Sequence, residues 1–180
     1  LLKLNFSETT FNKEIIVVND GSNDKSFEII KKFDKIRVLN QENLGKGRAV
    51  QNGIRIAKGD YILIQDGDLE YDPNDILLMC KVLKRSEKIS VYGSRYKPLY
   101  LNFIPRFYKT QNFTSYLANI LFMFFFIFLY GRFISDSLTG YKLYLRDFFT
   151  NNVIYSKGFE ADHEITAKLI KQKYRIIEVP

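Results

Sequence analysis

The sequence predicts an α/β fold with a doubly wound, mostly parallel sheet and helices on both faces. Short runs of apolar and β-branched residues alternate with helical patterns through the first half of the 180-residue chain. The run Tyr61–Ile64 is almost wholly apolar, as is typical of a strand in the centre of a parallel sheet. Turns rich in Asp, Asn and Gly follow two of the strands, at the edge where such sheets bind ligands.

The elements of the first half follow from these patterns in order. The predicted strands comprise residues 14–18, 36–39, 61–64 and 89–92. Helical patterns lie between them at residues 24–33, after Gly47 as far as Gly59, and after Asp72-Pro73. The Asp-Pro pair predicts a helix start, because Asp caps helices and Pro suits the first helical position.

The second half opens with an apolar run at residues 116–130, in which Asn119 is the exception. The run is about 15 residues long, shorter than the ~20 residues that a membrane-spanning helix needs. We expect a helix near 113–130 at a membrane interface, with a core helix and a true span as alternatives. The flanking cations suit lipid headgroups; they are Arg106, Lys109 and Arg132. A helix at residues 162–173 and a strand at 175–179 complete the prediction.

Composition and charge narrow the classes of partner and metal site that the chain can have. The length suits one domain, and the formal net charge is +7. The basic residues are spread along the chain rather than clustered, so we expect no nucleic-acid partner. The lone Cys80 is expected to be a buried apolar residue, and the single His163 excludes a multi-histidine metal site.

The acidic turn after the third strand predicts a metal site. Asp66 and Asp68 lie two residues apart, and their carboxylates repel each other unless a cation offsets the charge. Mg²⁺ or Mn²⁺ is the expected occupant, because hard cations prefer oxygen ligands and bridge to phosphate oxygens. Glu70 is close enough to assist. The alternative is a solvated acidic turn.

Two other segments predict contacts with a nucleotide. Asp20 ends the first strand, where a carboxylate can bind a base or a ribose hydroxyl, or cap the next helix. Gly45, Lys46 and Gly47 precede a helix and can offer backbone amides and an ammonium group to a diphosphate.

Taken together, six segments in order resemble glycosyltransferase family 2, of the Rossmann-like GT-A fold. They are EIIVVNDGSND, NLGKGRAVQNGI, GDYILIQDGDLEYDP, YGSR, DSLTGYK and GFEADHEITAKLIKQKYRIIEVP. The sequence is most similar to the polyprenyl-phosphate branch, which comprises dolichol-phosphate mannosyltransferase and its bacterial undecaprenyl-phosphate relatives. The resemblance covers residues 14–180.

The resemblance implies a role for each matching residue. Asp20 would hold the nucleotide base, and Asp66 and Asp68 would form the metal-diphosphate motif with Glu70 as a third ligand. Arg95, with Arg106 or Lys109, would face the acceptor phosphate. The remaining matches lie in the motif that closes the site and in the GFE-x-[DE] segment; they are Asp136, Lys142, Glu160 and Asp162. Asp68, Arg95 and Asp136 are the expected catalytic residues.

The resemblance also implies the reaction. We expect an inverting transfer of sugar from a UDP- or GDP-sugar to a polyprenyl or dolichyl phosphate at the membrane surface. The expected location is the cytoplasmic face, with the chain peripheral or anchored through segments outside it. With a hydroxyl acceptor, Asp136 or Glu160 would have to serve as base.

The chain departs from the family at both ends. Residues 1–13 are predicted to be helix and loop, where the family has an opening strand, and the family normally continues past the final Val-Pro. We therefore expect residues 1–180 to be one catalytic domain that is incomplete at both ends, with a non-catalytic nucleotide-binding remnant as an alternative.

Overall fold

Strands and helices alternate as predicted in the first half of the chain. The computed structural model describes residues 1–6, 10–68, 71–83, 87–96, 113–158 and 160–180. The strands are β1 (Ile16–Asp20), β2 (Arg37–Gln41), β3 (Tyr61–Ile64), β4 (Ile89–Gly93), β5 (Lys142–Leu145) and β6 (Arg175–Val179). The helices are α1 (Ser26–Ile30), α2 (Lys46–Ile56), α3 (Asp75–Lys81), α4 (Phe113–Tyr130), α5 (Arg146–Thr150) and α6 (Ala161–Lys171).

The first of two compact units comprises Leu1–Ile62 and Leu145–Ile165. Its sheet is the parallel pair β1-β2, in which Ile16 lies opposite Arg37 and Asp20 lies opposite Gln41. This register places the polar ends of both strands at the same edge of the sheet. Gly53 of α2 lies so close to β1 that a Cβ there would be 3.2 Å from Val18 Cγ2, and a side chain at this position would force Val18 to shift slightly.

The second unit comprises Leu63–Tyr144 and Thr166–Pro180. Its sheet has the strand order β3-β5-β4-β6, with β4 parallel to β6 and antiparallel to β5. Its core is formed by apolar residues of the strands and of α3; they include Ile76, Met79, Ile89, Val91, Tyr92, Leu143 and Tyr144. Cys80 of α3 is buried, as predicted, and burial raises the pKa of its thiol.

Several elements differ from the sequence prediction. The strand β5 and the helix α5 were not predicted. Helix α1 begins two residues late, because the Asp24 side chain accepts a hydrogen bond from the Ser26 amide and holds a turn there (2.9 Å), and it ends three residues early. Helix α3 begins at Asp75 rather than Pro73, because Asp72 binds the Asn74 amide in the turn before it (2.9 Å). Residues 1–6 and 10–13 contain turn and loop rather than helix.

Helix α4 extends over residues 113–130. One side of it packs inward through Asn119 and Phe126, both nearly buried. The other side is apolar and exposed; it carries Leu117, Leu121, Phe124, Phe125, Phe128 and Leu129. Among the described residues, no helix is long and apolar enough to span a membrane.

Candidate active site

Asp20 joins the carboxyl ends of β1 and β2 to the start of α2. Its Oδ1 accepts hydrogen bonds from Gln41 Nε2 (2.7 Å) and the Leu44 amide (2.9 Å), and its Oδ2 accepts one from the Gly45 amide (2.9 Å). Burial alone would raise the pKa of Asp20, but these three hydrogen bonds hold it below its usual value. The carboxylate is therefore ionised at neutral pH and orders the loop before α2.

An amide side chain orients this arrangement from α2. Asn52 Nδ2 donates to Gln41 Oε1 (2.8 Å), which directs the Gln41 amino group towards Asp20. Sequence reasoning missed Gln41 and Asn52. The polar end of β2 was the available signal, since Gln41 follows Asn40 at a predicted strand end.

The two glycines at the start of α2 are required by a close backbone contact. A Cβ at Gly45 would lie 2.9 Å from the Lys157 carbonyl oxygen, and one at Gly47 would lie 2.8 Å from it. Gly45 also has a φ of 91°, which disfavours any side chain. The structure thus gives both glycines a packing role, and contact of this segment with a diphosphate stays a prediction.

Lys46 and Asp162, both predicted to bind substrate, lie close together in the first unit. The distance from Lys46 Nζ to Asp162 Oδ2 is 3.8 Å, and both side chains are mostly buried. Glu160 has a more local role, since its Oε1 accepts a hydrogen bond from the Gly158 amide (3.1 Å). Backbone hydrogen bonds hold the pKa of Glu160 below its usual value.

In the second unit, Asp66 lies against the backbone of the predicted site-closing motif. A Cβ at Gly140 would be 2.7 Å from Asp66 Oδ2, so a side chain at this position would displace the Asp66 carboxylate. The Gly140 amide donates to Tyr71 Oη (2.9 Å), and the Tyr71 ring stacks on Tyr141 with centroids 4.8 Å apart. Burial raises the pKa of Tyr71, which remains a neutral phenol. Sequence reasoning missed this role of Tyr71.

The acidic turn fits a hard divalent cation by its donor chemistry. Asp66 and Asp68 supply carboxylate oxygens at the carboxyl end of β3. In the part of the chain that the structure describes, His, Cys, Asp and Glu nowhere form a metal-holding group of three or more. Two carboxylates nevertheless suit Mg²⁺, which commonly takes one or two protein carboxylates together with substrate phosphates and water.

Arg95 and Asp136, predicted from motifs 41 residues apart, form a two-pronged ion pair. Arg95 Nε donates to Asp136 Oδ2 and Nη2 donates to Oδ1, both at 2.8 Å. The Arg95 amide adds a third hydrogen bond to Oδ2 (3.0 Å). Burial alone would lower the pKa of Arg95, but the bonded charge of Asp136 raises it. The guanidinium is 16% exposed and the carboxylate fully buried, so the cation is fixed in orientation.

Glu178 of β6 holds the segment that carries Asp136. Its carboxylate accepts hydrogen bonds from the Ser135 amide (3.1 Å), the Ser135 hydroxyl (2.9 Å) and the Asp136 amide (3.0 Å). Sequence reasoning did not identify Glu178 as part of the site. Its position in the final strand gave no local signal, because its partners lie more than forty residues earlier in the chain.

The remaining predicted residues are not all at an accessible site. Lys142 is fully buried, with Nζ 5.3 Å from the centre of the Tyr92 ring. Contact of Lys142 with substrate stays a prediction. Glu70, Arg106 and Lys109 lie outside the described residues.

Comparison with known proteins identifies the family. The model for "Glycosyl transferase family 2" matches residues 1–151, which is most of the chain. The chain belongs to glycosyltransferase family 2. The resemblance inferred from the six segments is confirmed, and with it the assignment as a glycosyltransferase domain.

Relatives of this family 2 domain include two curated proteins. MJ0544, an uncharacterized protein of Methanocaldococcus jannaschii, is 28% identical over 179 residues, with 92% of this chain and 74% of that protein covered. Dolichyl-phosphate beta-glucosyltransferase ALG5D of Trichomonas vaginalis is 30% identical over 190 residues, with 97% and 56% covered. The chain thus spans little more than half of ALG5D.

Solved structures confirm the GT-A fold of the family 2 domain. The glucosyl-3-phosphoglycerate synthase of Mycobacterium tuberculosis, in complex with Mn²⁺, UDP-glucose and glycerol 3-phosphate, superposes with a TM-score of 0.66 at 18% identity. The match covers 91% of this chain and 57% of the synthase. At this identity the likeness is one of fold.

Proposed function

We propose that this protein is an inverting glycosyltransferase that transfers a sugar from a UDP- or GDP-sugar to a polyprenyl or dolichyl phosphate. The observation that carries the proposal is the Arg95–Asp136 pair. A fixed guanidinium suits a phosphate, because Asp136 accepts hydrogen bonds from two of its five side-chain N–H donors and holds its plane in one orientation. The relative ALG5D, named a dolichyl-phosphate beta-glucosyltransferase, supports the same class of acceptor.

The same pair argues against a hydroxyl acceptor. A hydroxyl needs a base to remove its proton, and the expected candidates were Glu160 and Asp136. The Asp136 carboxylate is fully buried and accepts three hydrogen bonds from Arg95, an arrangement that does not suit a base. A phosphate acceptor is already an anion at neutral pH, so it can attack the anomeric carbon without a strong base.

Asp66 and Asp68 would hold the divalent ion, with the donor diphosphate as a further ligand. A bound Mg²⁺ or Mn²⁺ would offset negative charge on the leaving nucleoside diphosphate. A synthase of the same fold was crystallised with Mn²⁺ and UDP-glucose, which supports this choice of cation and donor class. Gly140 would keep the Asp66 carboxylate in place by leaving room for it.

Asp20 would bind the nucleotide base of the donor. Its ionised carboxylate accepts hydrogen bonds only, so it suits an N–H group of the base. Lys46 would lie near the diphosphate, where its ammonium can approach the phosphate oxygens. Asp162 would hold that ammonium in position across their 3.8 Å contact.

Helix α4 would bring the protein to the cytoplasmic face of a membrane. Its outer side is apolar, and Phe128 is 88% exposed. The net charge of +7 favours a surface that contains anionic lipid. A bilayer offers both chemistries at once, apolar chains for the helix and negative headgroups for the basic residues.

The test is a transfer assay with labelled UDP-glucose or GDP-mannose, dolichyl or undecaprenyl phosphate, and Mn²⁺ or Mg²⁺. We expect transfer to lipid phosphate that Asp68→Ala abolishes while the fold, measured by circular dichroism, remains. Asp34→Ala, which removes an exposed carboxylate elsewhere, is the matched control and should transfer normally.

Each other outcome contradicts a separate part of the proposal. Undiminished turnover of Asp68→Ala would exclude the metal role of that residue. Transfer to a glycan hydroxyl but not to lipid phosphate would refute the assignment of a lipid phosphate as the acceptor. Nucleotide-sugar binding in calorimetry without any transfer would favour the non-catalytic remnant.

A further inference from the structure

Asn119 is a buried amide in the apolar run 116–130 of helix α4. It is 4% exposed, and its Nδ2 donates to the Ser135 carbonyl oxygen (2.7 Å). Its Oδ1 is buried without a hydrogen-bond partner in the described part of the chain. An amide that is only half satisfied destabilises the fold relative to an apolar side chain of similar size. The stability of α4 therefore does not explain Asn119.

The partner of Asn119 lies at the centre of a polar cluster, which we name the Ser135 cluster (Ser94, Asn119, Ser135 and Glu178). The amide and hydroxyl of Ser135 donate to Glu178, and its hydroxyl also bonds Ser94 Oγ (2.7 Å). The amide, carbonyl and hydroxyl of Ser135 are thus bound by three different segments, which are β6, α4 and the end of β4.

The Ser135 cluster is one residue away from the ion pair of the candidate active site. The Asp136 amide donates to Glu178 Oε1 (3.0 Å), and the Asp136 carboxylate holds Arg95 in two-pronged contact. Ser94, which precedes Arg95, bonds Ser135 directly. A displacement of Ser135 would therefore shift both partners of the pair.

We propose that Asn119 is a positioning residue, which locks α4 to the Ser135 cluster and thereby sets the orientation of Arg95 towards the acceptor phosphate. The inference rests on the proposed function, because it assigns Arg95 to that phosphate. It adds a residue that touches no substrate and acts through Ser135 and Asp136.

Asn119 and Phe128 lie on opposite sides of α4, which connects the link to Ser135 with the exposed side of the helix. Phe128 follows Asn119 by nine residues, which at about 100° per residue places it on the opposite side of the helix. Phe128 is 88% exposed, whereas Asn119 is buried. The side of α4 that would face lipid is thus opposite the side that holds the Arg95–Asp136 segment. The helix that meets the membrane also orients the cation for the lipid phosphate.

The experiment compares Asn119→Leu with the wild-type protein in transfer to a short-chain polyprenyl phosphate in detergent. Leucine has the same γ-branched shape and the same number of side-chain heavy atoms as asparagine, and it removes the bond to Ser135. We expect the KM for the acceptor to rise about tenfold while the KM for the nucleotide sugar stays within about twofold. Urea unfolding reports the accompanying change in stability, in which removal of the unsatisfied Oδ1 offsets the loss of the bond to the Ser135 carbonyl oxygen.

Phe126→Leu is the matched control, since it leaves a small cavity on the same buried side of α4 and keeps the bond between Asn119 and Ser135. We expect it to lower stability and leave the acceptor KM unchanged. Glu178→Gln provides a second probe of the Ser135 cluster from β6. It should also raise the acceptor KM, and it keeps the test decisive if Asn119→Leu does not fold.

The outcomes separate this inference from the function beneath it. Absence of lipid-phosphate transfer by the wild-type protein would overturn the proposed function and this inference with it. Transfer by the wild type with an unchanged acceptor KM in both Asn119→Leu and Glu178→Gln would overturn this inference alone. A rise of the acceptor KM in Phe126→Leu in proportion to its lost stability would also overturn this inference alone.

Discussion

At the scale of single residues, Asp20 and Asp136 show how two carboxylates acquire different chemistry. Asp20 accepts hydrogen bonds from two backbone amides and one side-chain amide, so neutral donors stabilise its negative charge. Asp136 is fully buried and relies on the Arg95 guanidinium. Loss of charge on Asp20 weakens a loop, whereas loss of charge on Asp136 leaves a largely buried cation without its counter-ion.

The pKa of Asp20 predicts a pH dependence of stability. Because the folded-state pKa is below the unfolded value, the carboxylate contributes stability above about pH 4 and loses it as pH falls through the folded pKa. We expect Asp20→Asn to lose about 1 kcal/mol of unfolding free energy at about pH 7. Urea unfolding at neutral pH and at about pH 3 measures both the loss in Asp20→Asn and its dependence on pH.

Asp24→Asn is the control for that measurement. Asp24 also has a lowered pKa, but it is exposed, and its carboxylate accepts a hydrogen bond from the Ser26 amide in the same turn. The stability difference between wild type and Asp20→Asn should shrink as the pH approaches about 3. A difference that is the same at both pH values would show that the charge of Asp20 does not carry its effect.

The ion pair predicts a larger effect. Asp136→Asn should lower the free energy of unfolding by about 3 kcal/mol, because it leaves the Arg95 charge largely buried without its partner. Urea unfolding provides the measurement. Glu87→Gln is the matched control, since it breaks an exposed pair with Arg175 (3.6 Å) and should cost at most about 1 kcal/mol. Equal losses of unfolding free energy in the two variants would contradict the prediction that the buried pair of Asp136 stabilises the fold more than the exposed pair of Glu87.

The same residues define how far the sequence predicts the site. Arg95 and Asp136 were identified from separate motifs, but their pairing depends on the fold, because 41 residues separate them. Asn119 was visible as the exception in an apolar run, yet the sequence did not say what it binds. Glu178 carried no local signal, because its role arises from partners on a distant loop.

At the scale of elements, β5 was missed for a physical reason. Residues 141–145 have the sequence YKLYL, and Lys142 interrupts what would otherwise be an apolar run. The structure buries Lys142 completely over the Tyr92 ring, so a charged residue occupies a core position of the strand. Periodicity assigns a lysine to the solvent side, and only tertiary structure corrects that assignment.

The strands and helices of the first half were predicted more closely. Strand β3 matches residues 61–64, since the short length of this almost wholly apolar run and the turn residues that flank it favour a strand over a helix. Helix α3 lies where it was predicted and buries Cys80 as expected, together with Ile76 and Met79, although it begins two residues late. Hydrophobic pattern thus predicts which side of an element is buried, whereas side-chain bonds in the preceding turn decide where it begins.

At the scale of the whole molecule, charge and apolar surface act together. The net charge of +7 arises from residues spread along the chain, so it attracts anionic surfaces without defining one binding site. The exposed side of α4 adds apolar area at one place. Binding to a bilayer should therefore have a salt-dependent part from the charge and a salt-resistant part from α4.

Vesicle flotation tests this division. We expect the protein to bind vesicles that contain phosphatidylglycerol, and to bind them less tightly as NaCl rises from about 0.05 to about 0.5 M, because salt screens the attraction. Phe128→Glu should weaken binding about tenfold or more at either salt concentration, since burying a phenylalanine contributes about 1.5–3 kcal/mol. Its target is the residue of α4 that is 88% exposed.

Phe33→Glu is the matched control, because Phe33 is also exposed (47%) and lies just after α1. The two variants have the same net charge, so any difference between them reports the place of the apolar contact rather than electrostatics. We expect Phe33→Glu to bind vesicles less tightly only because of its added negative charge. Its binding should return to the wild-type level when high salt screens that charge. Equal losses at high salt would mean that α4 is not the membrane-binding element and that its exposed side serves another purpose.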